Sequence, residues 1–217
     1  LSEYFIYTIE GTETIPNGWS KRLRSFRQKE VPFDIEYRYR VPEYGDQLVR
    51  MYLLKNDKDS QLGETPLPNG VVSVFKRNGR TGLSYVTAQT IKYVPIGDKI
   101  ELNLGVDPNV VFEWMKTRSW RTHIWLRVGG ARAYRRVDDG KVKVEINGTV
   151  AGWDEHAHYI QRIRNYSKKP IKVEVRRVIP GHVVFRNALD ATLHDYQTVE
   201  FQANVAAGRH ANLTCEL

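Results

Sequence analysis

The chain has 217 residues, 41% hydrophobic and 11% aromatic, with 33 Lys and Arg against 25 Asp and Glu, a formal net charge of +8. That apolar content excludes a mainly disordered chain, the single cysteine excludes an intrachain disulfide framework or a multi-thiolate metal site, and no run approaches the roughly 20 apolar residues of a membrane-crossing helix. The basic balance permits polyanion binding without requiring it.

Apolar residues recur at every second position through most of the chain, the period of strands with one buried face. Four Asn-Gly dipeptides, Asn17-Gly18, Asn69-Gly70, Asn78-Gly79 and Asn147-Gly148, add the turn chemistry that suits antiparallel hairpins. Tyr4 to Ile9 is a strand-like run close behind Leu1, as in an excised or processed piece. Asp34 to Val41 predicts a strand with Ile35, Tyr37, Tyr39 and Val41 facing inward and Asp34, Glu36, Arg38 and Arg40 facing water. Leu48 to Leu54 is almost continuously apolar and predicts a central strand. Val71 to Phe75 and Leu83 to Thr87 flank Asn78-Gly79 and pair as a hairpin. Ile91 to Val94 turns at Pro95-Ile-Gly-Asp98 into Lys99 to Val106, with Ile100, Leu102, Leu104 and Val106 inward.

After the arginine-rich stretch Trp120 to Arg136, a second block repeats the style. Val142, Val144 and Ile146 alternate with charges, and Asn147-Gly148 turns the chain toward Val150 to Trp153. Ile171, Val173 and Val175 form the next strand; Val199, Phe201, Ala203 and Val205 another, turning at Ala206 to Arg209 into Leu213 to Leu217. Ala188 to Leu193 is the one stretch with a short helical turn in its pattern, and no internal repeat emerges. The expectation is an all-β protein of antiparallel β-sandwich architecture, with two packed immunoglobulin-like subdomains, residues 1–120 and 121–217.

One segment is similar to a known family. Asn56-Asp57, Leu67-Pro68-Asn69-Gly70-Val71-Val72-Ser73-Val74-Phe75, Pro95-Ile-Gly-Asp98 and Ile100-Glu-Leu-Asn-Leu-Gly105 together resemble the domain of unknown function 4139, the C-terminal domain of mucoidy-inhibitor-A-like proteins. Asn165 with Lys168-Lys-Pro-Ile-Lys-Val173 is similar to its later strand, and Ile15-Pro-Asn-Gly18 with Lys21-Arg22 to its opening hairpin. The resemblance runs from about Glu13 to the C-terminus; Trp120 to His158 departs from it, and Phe201 stands where a tryptophan is common. It implies a β-rich domain, often preceded by a smaller domain and a coiled coil, and carries no catalytic residues.

Candidate chemistry is sparse. His156-x-His158, beside Asp154 and Glu155, puts two imidazoles on one strand face and is the candidate metal pair; His182, His194 and His210 lie at unrelated spacings. No Gly-x-Ser-x-Gly elbow or phosphate loop occurs, and Glu36 with Glu113 is a carboxylate pair of the kind any β protein offers. Cys215 shares strand parity with Leu213 and Leu217 and reads as a buried thiol. Asn147, Asn165 and Asn212 begin glycosylation sequons. Basic clusters mixed with aromatics occur at Lys21 to Lys29 and Arg132 to Arg136, and edge cations also serve to block strand pairing. Three of the five tryptophans fall between Trp114 and Trp125. A ligand or partner surface is therefore expected at Trp114, Trp120, Trp125, Arg132, Arg135 and Arg136. The reading is a non-enzymatic module for protein association within a larger bacterial-type, cell-envelope protein, without cofactor or membrane insertion and with weak polyanion contact at most. A carbohydrate- or polyanion-binding domain is the alternative.

Overall fold

The computed structural model describes residues 11–24, 26–63, 65–79, 82–128, 134–137, 148–181, 183–187 and 190–217. Among them the chain is almost entirely strand: β1 Asp34–Arg40, a single helical turn α1 Val41–Tyr44, β2 Leu48–Lys55, β3 Gly70–Arg77, β4 Leu83–Ile91, β5 Lys99–Val106, β6 Val110–Val128, β7 Tyr134–Val137, β8 Gly148–Asn165, β9 Ile171–Val178, β10 Arg186–Asn187, β11 Thr192–Leu193, β12 Thr198–Val205 and β13 His210–Glu216. They form a six-stranded sheet in the order β11-β12-β9-β1-β2-β5, a five-stranded sheet β10-β13-β8-β6-β7, and the hairpin β3-β4. Two compact units are distinguished: the described residues up to Ile35 with Met51–Leu104, and Glu36–Arg50 with Gly105–Leu217. The division cuts β2 after Arg50 and β5 after Leu104, whereas a cut at 120/121 falls inside β6.

In the unit holding β3 and β4, Val94, Ile100 and Leu102 are buried among Tyr52, Leu54, Leu62, Leu67, Val72, Val74, Ile91 and Leu104. The β3-β4 hairpin is the predicted one, its two strands in antiparallel register from Gly70↔Ile91 to Arg77↔Leu83. The alternation expected for β5 holds through Leu104, which packs on the cluster, and then fails: Val106 is 53% exposed. Gly105 sits at φ +76°, a left-handed conformation that breaks the two-residue period just before it.

In the other unit one core cluster draws on both larger sheets: Tyr37 and Tyr39 from β1, Leu48 from β2, Val173 and Val175 from β9, Phe201 and Val205 from β12, with Val110 from β6 and Ile163 from β8. Burying these side chains contributes about 1.5–3 kcal/mol each, the main driving force for the fold. At its margin Asp107 ties the chain between β5 and β6. Its carboxylate accepts from the Tyr37 hydroxyl at 2.8 Å and pairs with Arg50 at 3.0 Å, while Asn109 donates its backbone and side-chain N–H, both at 3.0 Å.

Two expectations are corrected here. The sheets are not wholly antiparallel: β1 runs parallel to β9, from Glu36↔Lys172 to Arg40↔Arg176. Lying between β9 and β2, β1 is buried on both faces, so Glu36, Arg38 and Arg40 are covered rather than solvated, and Ile35 and Val41 are exposed. The covered charges neutralise one another: Arg40 meets Glu174 at 2.6 Å, Arg38 meets Glu36 at 3.2 Å, and Arg176 bridges Glu174 at 3.2 Å and Glu200 at 2.7 Å. The helical turn expected at Ala188 to Leu193 is also corrected in its described part, because Thr192 and Leu193 pair with β12 as β11; Ala188 and Leu189 lie outside the described residues. Of the Asn-Gly turns, Asn78-Gly79 joins β3 to β4, Gly70 opens β3, and Asn17-Gly18 forms a turn outside any strand pair. Asn147 and the run Val142 to Ile146 lie outside the described residues.

Candidate interaction surface

Strands β6 and β8 have 19 and 18 residues, long enough to span about 60 Å at 3.3 Å per residue. The core cluster takes only the first turns of β6, through Val110 and Phe112, and the last of β8, through Ile163. The remainder is a ribbon in antiparallel register to Val128↔Gly148, with bulges between Lys116 and Arg118 and between Thr122 and Trp125; β7 adds a third strand opposite Ile124–Arg127. Bulges raise the local twist and redirect side chains, which lets an irregular ribbon present several residue types together.

Directly opposed residues in an antiparallel pair share a face, so Arg118, Trp120 and Thr122 stand against His158, His156 and Asp154. The Trp120 indole stacks on the His156 ring with centroids 5.1 Å apart and planes 6° from parallel, and the Arg118 guanidinium lies 4.8 Å from the indole centroid. The Thr122 hydroxyl is 2.7 Å from His156 Nε2, and the Thr117 hydroxyl 2.7 Å from His158 Nδ1. His123 occupies the second bulge with φ +48°, unusual for a residue with a Cβ, and its Nδ1 lies 2.6 Å from Asp154 Oδ2. Elsewhere on the ribbon the Arg121 guanidinium covers the Trp153 ring at 4.1 Å, and Lys116 reaches Glu155 at 3.7 Å. Each exposed cation–π contact contributes about 0.5–1 kcal/mol, so these stacks stiffen the ribbon.

Of the surface residues expected from sequence, the ribbon unites Trp120, Trp125 and Arg136, with Trp125 opposite Arg136 across β6 and β7. Trp125 is 43% exposed and Arg136 is exposed. Arg135 contributes a backbone position on β7, and Arg132 lies outside the described residues. Trp114 sits elsewhere, on the core side of β6, against Tyr159 at 5.2 Å and beneath the Arg177 guanidinium at 3.8 Å. Sequence reasoning missed Thr117, Arg118, Arg121, Thr122 and His123. The two-residue spacing of Arg118, Trp120 and Thr122 was a readable signal; the cross-strand partners that give it meaning were not.

The candidate metal pair His156 and His158 does share a face, but each imidazole is engaged by a threonine, and among the described residues no group of three His, Cys, Asp or Glu could hold a metal ion. Glu36 is held by Arg38 and Lys172, and Glu113 lies 3.1 Å from Arg164, so both carboxylates are committed to cations. Cys215 is buried, its thiol pushed up by burial. Among the sequons, Asn165 is buried with its amide donating to Lys169, Val205 and Ala206 carbonyls, leaving no nitrogen to modify in the folded chain, and Asn212 Oδ1 accepts from Arg162. No described helix is long and apolar enough to cross a membrane.

No protein-family model, no curated protein and no solved structure matches the chain at a significant level.

Proposed function

We propose that this chain is a non-enzymatic β-sandwich module with immunoglobulin-like parts, that it belongs among domains of unknown function 4139, and that it works in the cell envelope by associating with a protein partner, which includes any further region of its own gene product. The observation that carries this reading is the ribbon: β6 and β8 continue far past the core they serve, stiffened by Arg118, Trp120 and His156 and bearing exposed Trp125. Aromatic residues beside arginine are the side chains enriched at protein interfaces. The carbohydrate alternative is the weaker one, because Trp114, Trp120 and Trp153 each carry a guanidinium over the indole where a sugar ring would stack.

The test is a photo-crosslinking amino acid placed at Trp125 in the full-length gene product in its native host, with the highly exposed Tyr196 as control site. A discrete protein adduct at Trp125, absent at Tyr196, is expected. No adduct, or equal adducts at both sites, overturns the reading, and saturable micromolar binding on a glycan array transfers it to the alternative.

A further inference from the structure

A second surface lies on the β3-β4 hairpin. Val72 and Val74 of β3 turn inward to the apolar cluster, so alternation sends Val71, Ser73, Phe75 and Arg77 outward. Their cross-strand partners are Thr90, Ala88, Tyr85 and Leu83, the register shifting at the bulge between Val74 and Phe75. The bulge brings Tyr85 to the same face as Phe75, their rings in edge contact at 5.7 Å. Val71, Phe75, Leu83 and Tyr85 are 67%, 52%, 66% and 61% exposed, an apolar sheet face left in water where a hairpin normally carries polar residues.

Along the two strands of the hairpin the charge has one sign. Between Asn69 and Gly97 the sequence holds Lys76, Arg77, Arg80 and Lys92 and no Asp or Glu, in a chain with 25 acids. Lys76, Arg77 and Lys92 are all exposed. The hairpin presents its four apolar side chains to solvent together. It offers aromatic and aliphatic side chains flanked by cations, the combination that lies in the headgroup region of an anionic bilayer, where apolar burial and attraction to lipid phosphates act together.

We propose that the outer face of the β3-β4 hairpin docks on an anionic phospholipid surface, with Phe75, Leu83, Tyr85 and Val71 entering the interface and Arg77 and Lys92 contacting headgroups. The chain lies on the bilayer without crossing it. No residue of this face belongs to the β6-β8 ribbon, and its test does not depend on that reading.

The experiment is co-sedimentation of the whole chain with large vesicles of phosphatidylcholine, alone or with about a third phosphatidylglycerol. Sedimentation with the anionic vesicles alone is expected, weakening with salt. The pair Phe75→Ser with Leu83→Ser reduces it by about tenfold, and Arg77→Glu with Lys92→Glu abolishes it. Circular dichroism melts check that both variants remain folded. Leu83→Trp supplies a reporter inside the face, whose emission shifts to the blue on anionic vesicles if the side chain leaves water. Absence of sedimentation, sedimentation indifferent to Phe75 and Leu83 in folded variants, or an unshifted Leu83→Trp emission overturns the proposal. So does retention on polyglutamate with the same dependence on Phe75 and Leu83, which would mark an acidic protein as the occupant.

Discussion

Asn56 and Asn165 hold the same post in different units. Each closes a strand, and each is buried and donates its side-chain amide to three carbonyls: Thr65, Val94 and Pro95 for Asn56, and Lys169, Val205 and Ala206 for Asn165. Their backbone N–H groups donate to Asp98 at 2.8 Å and Arg209 at 2.9 Å, the residues after the glycine of Val94-Pro-Ile-Gly-Asp98 and Val205-Ala-Ala-Gly-Arg209. The chain therefore uses one local design twice, although no internal repeat emerges from its sequence. Asn56 adds a demand of its own: its Oδ1 accepts from Gly63 N at 2.9 Å, and a Cβ on Gly63 would come within 2.5 Å of Asp57 Cα, so only glycine closes that loop.

Replacing Asn165 by Asp removes both amide N–H donors, which serve three carbonyls, and buries a carboxylate against those oxygens. The expected loss is about 3 kcal/mol or more, read as a lower urea midpoint with unchanged slope. Asn212→Asp, at an exposed position on β13, serves as control and shifts the midpoint little.

The pair Arg40 and Glu174 spans β1 and β9. Burial pulls the Arg40 guanidinium down, but the hydrogen bond and charge of Glu174 outweigh it and raise its affinity for the proton. Glu174→Gln leaves a covered cation short of its partner and lowers stability by about 3 kcal/mol. The double variant Arg40→Met, Glu174→Leu recovers much of that loss in the same unfolding measurement, since an apolar pair avoids desolvating two charges.

Tyr37 and Tyr39 are each pushed up to about 12, first by burial and then by the hydrogen bonds to Asp107 and Asp46. A raised pKa means that the neutral phenols stabilise the fold below pH of about 10, and that this contribution is lost as pH rises through about 12. Melting temperature should fall over that window, and Tyr37→Phe should flatten the fall. At the acid end Asp107 has the opposite sign. Burial opposes ionisation of its carboxyl, yet Asn109, Tyr37 and Arg50 hold it below the usual range, so its contribution is lost as pH falls through that lowered value.

Cys215 lies beside Gln161, whose amide nitrogen is 3.9 Å from the sulfur, within the covered side of β8 and β13. A thiol-specific chromogenic reagent should leave it unmodified under native conditions and titrate one thiol per chain in denaturant. Rapid reaction of the native protein would contradict its burial.

How far the site was legible follows from its residues. Trp120, Trp125, Arg136, His156 and His158 could be picked out by type, because large aromatics, cations and imidazoles on strands are conspicuous wherever they occur. The Trp120–His156 stack, the Thr122 and Thr117 contacts and the left-handed His123 could not, since each depends on which residue of β8 stands opposite β6 and where a bulge shifts that register. The apolar hairpin face was equally silent: Val71 and Phe75 alternate with Val72 and Val74, and nothing local says which set is left in water.

The amino-acid sequence by itself determined that this chain makes strands, where β2, β9, β12 and the β3-β4 hairpin run, and that Cys215 is inside. Those features depend on neighbours two residues away or on turn residues beside them. Tertiary structure alone decided that β1 lies parallel to β9 with charges covered on one face, and that β6 and β8 outrun their core. Strand pairing joins segments more than a hundred residues apart in β1 and β9 and tens of residues apart in β6 and β8, and a two-residue period reports that a strand has two faces without saying what covers the second.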